Sequence, residues 1–150
     1  MTTSQFLEQL AGAPVAHGLF DKVGDLQHGR TRLDLESYQY DPVRKLPLYV
    51  FKLLADDGAV VGQYHFAPGD PDQVGEIGNA GGHVDAAYRD KGHSKDCIKA
   101  LKSLAWRHGM ASFIVTCPKS NGAARTALQQ VGKEIDRQDG DMCFYEIPAT

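Results

Sequence analysis

The sequence predicts a mixed α/β protein, and three observations predict it. Between Leu33 and Phe66 apolar residues alternate with polar ones or gather in blocks of strand length, interrupted by Asp41-Pro42 and Asp56-Asp57-Gly58. After Ser94, and again after Asn121, apolar residues return at three- and four-residue steps, the period of a helix with one buried face. Between these regimes, Tyr88-Arg89-Asp90-Lys91-Gly92-His93-Ser94 reads as a short Gly-containing turn from a strand into a helix. A run of strands followed by helices alternating with strands makes one sheet with helices packed on it.

The bulk numbers agree with that class. A chain of 150 residues with 42% hydrophobic and 23% charged residues can bury the core of a single domain over 1–150. A formal net charge of −3 argues against a protein that coats nucleic acid. No apolar run is long enough to span a membrane, and the N-terminus lacks a signal peptide's basic and apolar regions. Cys97, Cys117 and Cys143 lie far apart in apolar contexts, as reduced thiols in a cytoplasm would. The six histidines are scattered without metal-ligand spacing, so no metal is expected.

Taken in order, Ser4 caps a short helix carrying Phe6, Leu7 and Leu10, which Gly12 ends. Pro14 opens a second helix with Val15, Leu19, Phe20, Val23 and Leu26 on its apolar side, and Gly29 breaks it. The first strand runs from Leu33 through Tyr40. The second, Tyr49–Ala55, is apolar at nearly every position and therefore central. Asp56-Asp57-Gly58 turns it into a third, Ala59–Phe66. Val74–Val84 reads as a fourth strand, unusual in containing Gly75, Gly78, Gly81 and Gly82, a sign of a bulge or of close approach by a ligand. The helix after the turn buries Cys97, Ile98, Leu101, Leu104, Ala105 and His108 and stops at Gly109. Phe113–Val115 is a short buried strand ending at Cys117-Pro118. Asn121 caps a helix with Ala124, Ala127, Leu128 and Val131 inward, and a hairpin from Ile135 turns at Asp139-Gly140 and returns through Met142, Phe144 and Ile147.

The turn at residues 88–94 carries the chemistry. A helix N-terminus points unpaired N–H groups and the positive end of its dipole at one spot, which suits phosphate. Lys91, His93 and Lys95 add positive charge, and Gly92, lacking a Cβ, lets a ligand reach the backbone. The glycine spacing fits neither a Walker A loop nor a dinucleotide fingerprint. Arg89-x-x-Gly92-x-Ser94 instead resembles the Arg/Gln-x-x-Gly-x-Gly/Ala pyrophosphate loop of the GNAT superfamily of acyl-CoA-dependent N-acetyltransferases. The resemblance covers about Leu33 to Ile147. It includes the hairpin at Asp57-Gly58 followed by Val60-Val61-Gly62, the apolar Val84 before the loop, and Thr116-Cys117-Pro118 with Asn121 and then Gly132.

The resemblance implies a mostly antiparallel sheet, splayed at a central strand pair and flanked by helices. It implies acetyl-CoA as cosubstrate and direct attack by the primary amine of a small molecule or peptide. Cosubstrate contacts are expected at Gly82, Val84, Arg89, Asp90, Lys91, Gly92, His93, Ser94 and Asn121, with backbone groups of Gly81–Val84 facing the acyl and pantetheine parts. Glu76 and His83 are the candidate bases, Asp85 is a third, and a water chain would need none of them. The family's usual acid, a tyrosine, falls here on Leu128, which leaves Tyr145, Cys117 or water to protonate the leaving thiolate. Tyr38, Tyr40, Tyr49, Tyr64 and Glu36 are candidates to line an acceptor pocket. Nucleic acid and membrane are not expected partners, and self-association as a homodimer is left open. A non-catalytic acyl-CoA-binding or sensor module with the same fold is the alternative from another class.

Overall fold

The computed structural model describes residues 26–41, 46–69, 74, 78–136 and 140–150. The two helices expected before Gly29 fall on residues outside these, apart from Leu26, and so does Glu76.

The described residues contain an eight-stranded sheet in the order β1-β2-β3-β4-β5-β6-β8-β7. β1 (Gln27–His28), β2 (Thr31–Asp41), β3 (Leu46–Leu54), β4 (Val60–Phe66) and β5 (Ala80–Val84) form an antiparallel meander. A 3-10 turn (Ala86–Tyr88) and helix α1 (His93–Arg107) carry the chain to β6 (Ser112–Pro118), which runs parallel to β5. Helix α2 (Gly122–Val131) and β7 (Lys133–Ile135) follow, and β8 (Met142–Pro148) pairs antiparallel with β6 and with β7. The architecture is the mixed α/β, mostly antiparallel sheet that the sequence predicts.

Periodicity explains why each element buries the face it does. On β3, Tyr49, Phe51 and Leu53 point into the core, with Tyr49 opposite Phe66 and Phe51 opposite Tyr64 on β4. α1 lays Cys97, Ile98, Leu101, Leu104 and Ala105 on that face, all fully buried. Each large apolar side chain so buried contributes about 1.5–3 kcal/mol. Phe66 meets Phe113 edge to face at 5.8 Å, which ties β4 to β6 beneath α1. Gly109, at φ 76°, stops the helix as expected.

Three details differ from the sequence reading. The segment before Gly29 ends in a short strand, because Gln27 and His28 pair with Arg32 and Thr31. The fourth strand starts at Ala80 rather than Val74: Val74 is helical, and Gly78 sits at φ 77°, which interrupts an extended chain. The final hairpin starts at Lys133, two residues before Ile135.

The sheet opens between β5 and β6. They pair at one register position, Ala80↔Val115, and beyond it β5 has no ladder partner on that side. Asn79 holds the root of this fork. Its N–H donates to the Ile114 carbonyl at 2.8 Å, and its Oδ1 accepts from the Ile114 N–H at 2.9 Å. Its Nδ2 donates to the carbonyls of Ala67 (2.8 Å) and Gly69 (3.1 Å). One buried amide thereby fastens β5, β6 and the chain leaving β4 together.

Candidate functional site

Two concave regions flank β5. The first follows from the turn at residues 85–92. After Val84 the Asp85 N–H donates to Val61, and the 3-10 turn closes with Tyr88 N–H on Asp85. The chain then reverses through two left-handed residues, Asp90 at φ 64° and Gly92 at φ 84°. Asp90 is the kind of short polar residue that tolerates this region, and Gly92 enters it without strain. α1 begins at once, its first intrahelical bond running from Asp96 N–H to the Gly92 carbonyl at 2.9 Å. Gly92 has no side chain with which to cap the helix, so the N–H groups of His93, Ser94 and Lys95 are left for other acceptors. A Cβ built on Gly92 would meet nothing within 4 Å, which makes the backbone there open to approach.

These residues form one wall of a cleft of ≈ 250 Å³, completed by Val84, Tyr88, Arg89 and the first turns of α2. Asn121 caps α2, its Oδ1 accepting from the Ala124 N–H at 3.1 Å. The small Ala123 and Ala127 keep the α2 wall low. Arg89 turns its Nε back to the Val84 carbonyl at 3.2 Å and so braces the loop. Lys91 lies with its Nζ 5.6 Å from the centre of the Tyr88 ring, a cation–π contact. Val84, Arg89, Asp90, Gly92, His93, Ser94 and Asn121 are thus brought together in one cleft, with Lys91 beside it.

The His93 side chain also ties the loop to the sheet. His93 lines the cleft through its helix position but its imidazole is buried, with Nδ1 2.7 Å from Thr31 Oγ1. The Thr31 hydroxyl has one proton, which it donates to Asp96 Oδ2 at 3.2 Å. The carboxylate can only accept, so Nδ1 carries the proton and donates to Thr31. His93 therefore pins the first turn of α1 to β2. Ser94 hydrogen-bonds Tyr64 of β4, a second tie of this turn to the sheet.

Gly82 is pressed against β4. A Cβ there would lie 2.2 Å from the Gln63 carbonyl and 2.7 Å from Tyr64 Cα. The close approach of β4 requires glycine at this position. Gly82 lines the second region.

That second region is a cavity of ≈ 540 Å³ against β3, β4 and β5. Leu48, Val50, Ala67 and Val74 give it apolar walls, and Gln63, His65 and His83 give it polar side chains. β5 runs between the two regions, contributing Val84 to one and Gly82 and His83 to the other. His83 is exposed, with Nε2 3.3 Å from Asp85 Oδ1. Of the pocket aromatics expected from the sequence, Tyr64 lines this cavity. Tyr49 does not: it is core, with its hydroxyl 3.3 Å from His108 Nε2. Tyr38 packs on Tyr49 at 5.3 Å, Glu36 accepts a hydrogen bond from Gln63 at 3.1 Å, and the side chain of Tyr40 lies outside the described residues.

The sequence reading passed over His65. It alternates onto the cavity face of β4, half-buried, and desolvation lowers its pKa below 6.5. The period of β4 carries the signal, since Gln63 and His65 are the polar alternates to Tyr64 and Phe66.

The candidates for protonating a thiolate lie elsewhere. Tyr145 is fully buried and its hydroxyl accepts from Arg125 Nε at 3.3 Å. Cys117 is buried across the strand pair from Cys143, and burial with that neighbour pushes its thiol up to about 11, which makes it a poor nucleophile. Leu128 is core. Among the described residues no group of His, Cys, Asp and Glu could hold a metal, and no helix is long and apolar enough to cross a membrane.

No family model matches the chain, and no curated protein matches it. The solved structures to which it is similar include acetyltransferases. RimL, the ribosomal L7/L12 alpha-N-protein acetyltransferase, is 15% identical with a TM-score of 0.49, over 68% of this chain and 70% of that one. yncA from Salmonella typhimurium, solved with its cofactor acetyl-CoA, is 15% identical with a TM-score of 0.47, over 72% and 67%.

Proposed function

We propose that residues 1–150 form a single acyltransferase domain that moves an acetyl group from acetyl-CoA to a primary amine. The observation that carries this reading is the loop: two left-handed residues, Asp90 and Gly92, deliver β5 into an uncapped α1 inside a cleft. The residues present fit a diphosphate there. First-turn N–H groups, the open backbone at Gly92 and the side chains of Arg89 and Lys95 line one volume, with Lys91 beside it. Bound in this cleft, acetyl-CoA supplies a thioester carbonyl carbon for an amine to attack. Asn121 keeps its Nδ2 for a ligand while Oδ1 caps α2. Past Ala80 the free edge of β5 offers backbone N–H groups to an acyl carbonyl, as preorganised donors in the manner of an oxyanion hole.

The cavity beyond β5 is the proposed acceptor site. Its apolar walls lower the cost of presenting a neutral amine, because burial disfavours the ammonium form. In water a lysine-like amine is about 4–5 kcal/mol from its neutral form at pH 7.

Acetyl-CoA at 100 times its Kd is expected to stabilise the fold by about 2.7 kcal/mol and raise the Tm. No Tm shift with millimolar CoA or acetyl-CoA would overturn the reading. A non-catalytic acyl-CoA-binding module is the second reading, favoured by the core position of Leu128 and the pairing of His83 with Asp85. Binding without release of free CoA in the presence of amines would select it.

A further inference from the structure

Resting on the acyltransferase reading, we propose that His65 is the general base, taking the proton from the acceptor nitrogen as the N–C bond forms. His65 stands opposite Gly81 in the β4–β5 ladder. A Cβ on Gly81 would lie 3.1 Å from His65 Cε1 and 3.5 Å from Nε2, so the imidazole rests on bare backbone. Gly81 is the first residue of β5 past its last pairing with β6. The ring is therefore held at the point where the fork opens, facing the cavity proposed for the acceptor.

Two further properties suit the role. Among the described residues the ring nitrogens have no hydrogen-bond partner, so one can accept without breaking an existing bond. Burial also holds the imidazole below its ordinary pKa, so it is neutral and basic at pH 7. The charged and titratable groups on this side of the sheet are few among the described residues. His83 is met by Asp85 on β5, Lys52 lies on β3 across from Gln63, and Glu36 on β2 is held by Gln63. β6 presents the Thr116 carbonyl against Gly81. His83, exposed and beside a carboxylate, lacks the desolvated setting of His65.

The step balances without another reactant. The lone pair of the neutral amine forms the N–C bond, and the electron pair of the broken C–S bond leaves on sulfur. The nitrogen grows far more acidic as it bonds, which is when a base as weak as imidazole can take its proton. The imidazolium returns that proton to water and the thiolate takes one from water, giving amide, free thiol and an unchanged His65.

The test is CoA release from acetyl-CoA with a panel of polyamines, aminoglycosides and peptide N-termini, run on wild type, His65→Gln and His83→Ala across pH, with acetyl-CoA affinity measured by calorimetry. The expected result is a loss of roughly 10²–10⁴-fold in kcat for His65→Gln, with acetyl-CoA affinity retained and the loss shrinking at high pH. Wild-type kcat/KM should rise through an inflection below 6.5 that His65→Gln lacks. Gly81→Ala, which crowds the ring and keeps it, should lower kcat while leaving that inflection. If His65→Gln keeps the wild-type rate and pH profile, the assignment of the base is overturned while the acyltransferase reading stands. If the wild type binds no acetyl-CoA, or binds it and acylates nothing, the reading falls and the base falls with it.

Discussion

The two concave regions on either side of β5 are built from different material. The cleft proposed for phosphate is made largely by the stretch from Val84 to Lys95, and the groups proposed to bind there are backbone N–H. The cavity is made by side chains from β3, β4 and β5, which are scattered along the chain from Leu48 to His83. A site of backbone groups constrains the sequence where the backbone must bend, so it leaves a compact mark: a residue tolerant of positive φ, a glycine, and a helix start. A site of side chains on a sheet face leaves only alternation, which core strands share.

The largest expected effect separates the regions by what each controls. His65→Gln should cost roughly 10²–10⁴-fold in kcat and leave acetyl-CoA affinity alone, while loop variants should do the reverse. If both kinds of variant moved both quantities, the two regions would be one site and the contrast would fail.

Next comes the joint that holds them apart. Asn79→Ala removes the side-chain partner of the Ile114 N–H and of the Ala67 and Gly69 carbonyls. Leaving such buried groups unpaired should destabilise the protein by about 2–4 kcal/mol, read from urea unfolding. The loss should be larger than that of Asn121→Ala, whose cap is worth about 1 kcal/mol. Equal losses would mean that the fork is held by strand packing and not by the Asn79 amide.

The sequence made the loop and the helix faces legible. Cys97, Ile98, Leu101, Leu104, Ala105 and His108 share one side of α1 by period alone, and the structure buries all of them. Asn121 announced its cap. The bond from His93 to β2 was not legible because its partner Thr31 lies 62 residues away in sequence. The crowding at Gly82 was hidden for a related reason, since the Gln63 and Tyr64 backbone belongs to another strand. Asn79 and His65 went unnoticed because nothing adjacent marks them; their partners are assembled by strand pairing.

Within the loop, backbone and side-chain contributions can be separated. Gly92→Val forces a β-branched residue to φ 84° and puts atoms where the backbone is now open. Acetyl-CoA affinity should fall at least about tenfold, or 1.4 kcal/mol. Lys91→Ala removes an exposed cation stacked on Tyr88 and should cost less than about 1 kcal/mol, with the effect fading in salt. A larger loss for Lys91→Ala, measured by calorimetry at one ionic strength, would make the loop a clamp of side-chain charge.

The smallest expected effect is a stability slope, and it asks whether the cavity desolvates His65 at all. In the unfolded chain this histidine titrates near 6.5, and in the folded chain burial lowers its pKa. Between the two values the unfolded chain binds a proton that the folded chain does not, so unfolding is favoured by acid. The contribution is fully favourable above 6.5, is lost as pH falls through 6.5, and stops changing below the folded pKa. His65→Gln has no such proton. The stability of wild type relative to this variant should therefore fall as pH is lowered through 6.5, read from paired urea titrations. His17, His28, His83, His93 and His108 are common to both proteins and cancel in the difference unless they couple to the altered ring. A difference independent of pH would mean that the ring is solvated as in the unfolded chain. The cavity would then give His65 no special basicity, and the contrast between the regions would reduce to one site with a backbone loop and an ordinary wet surface beside it.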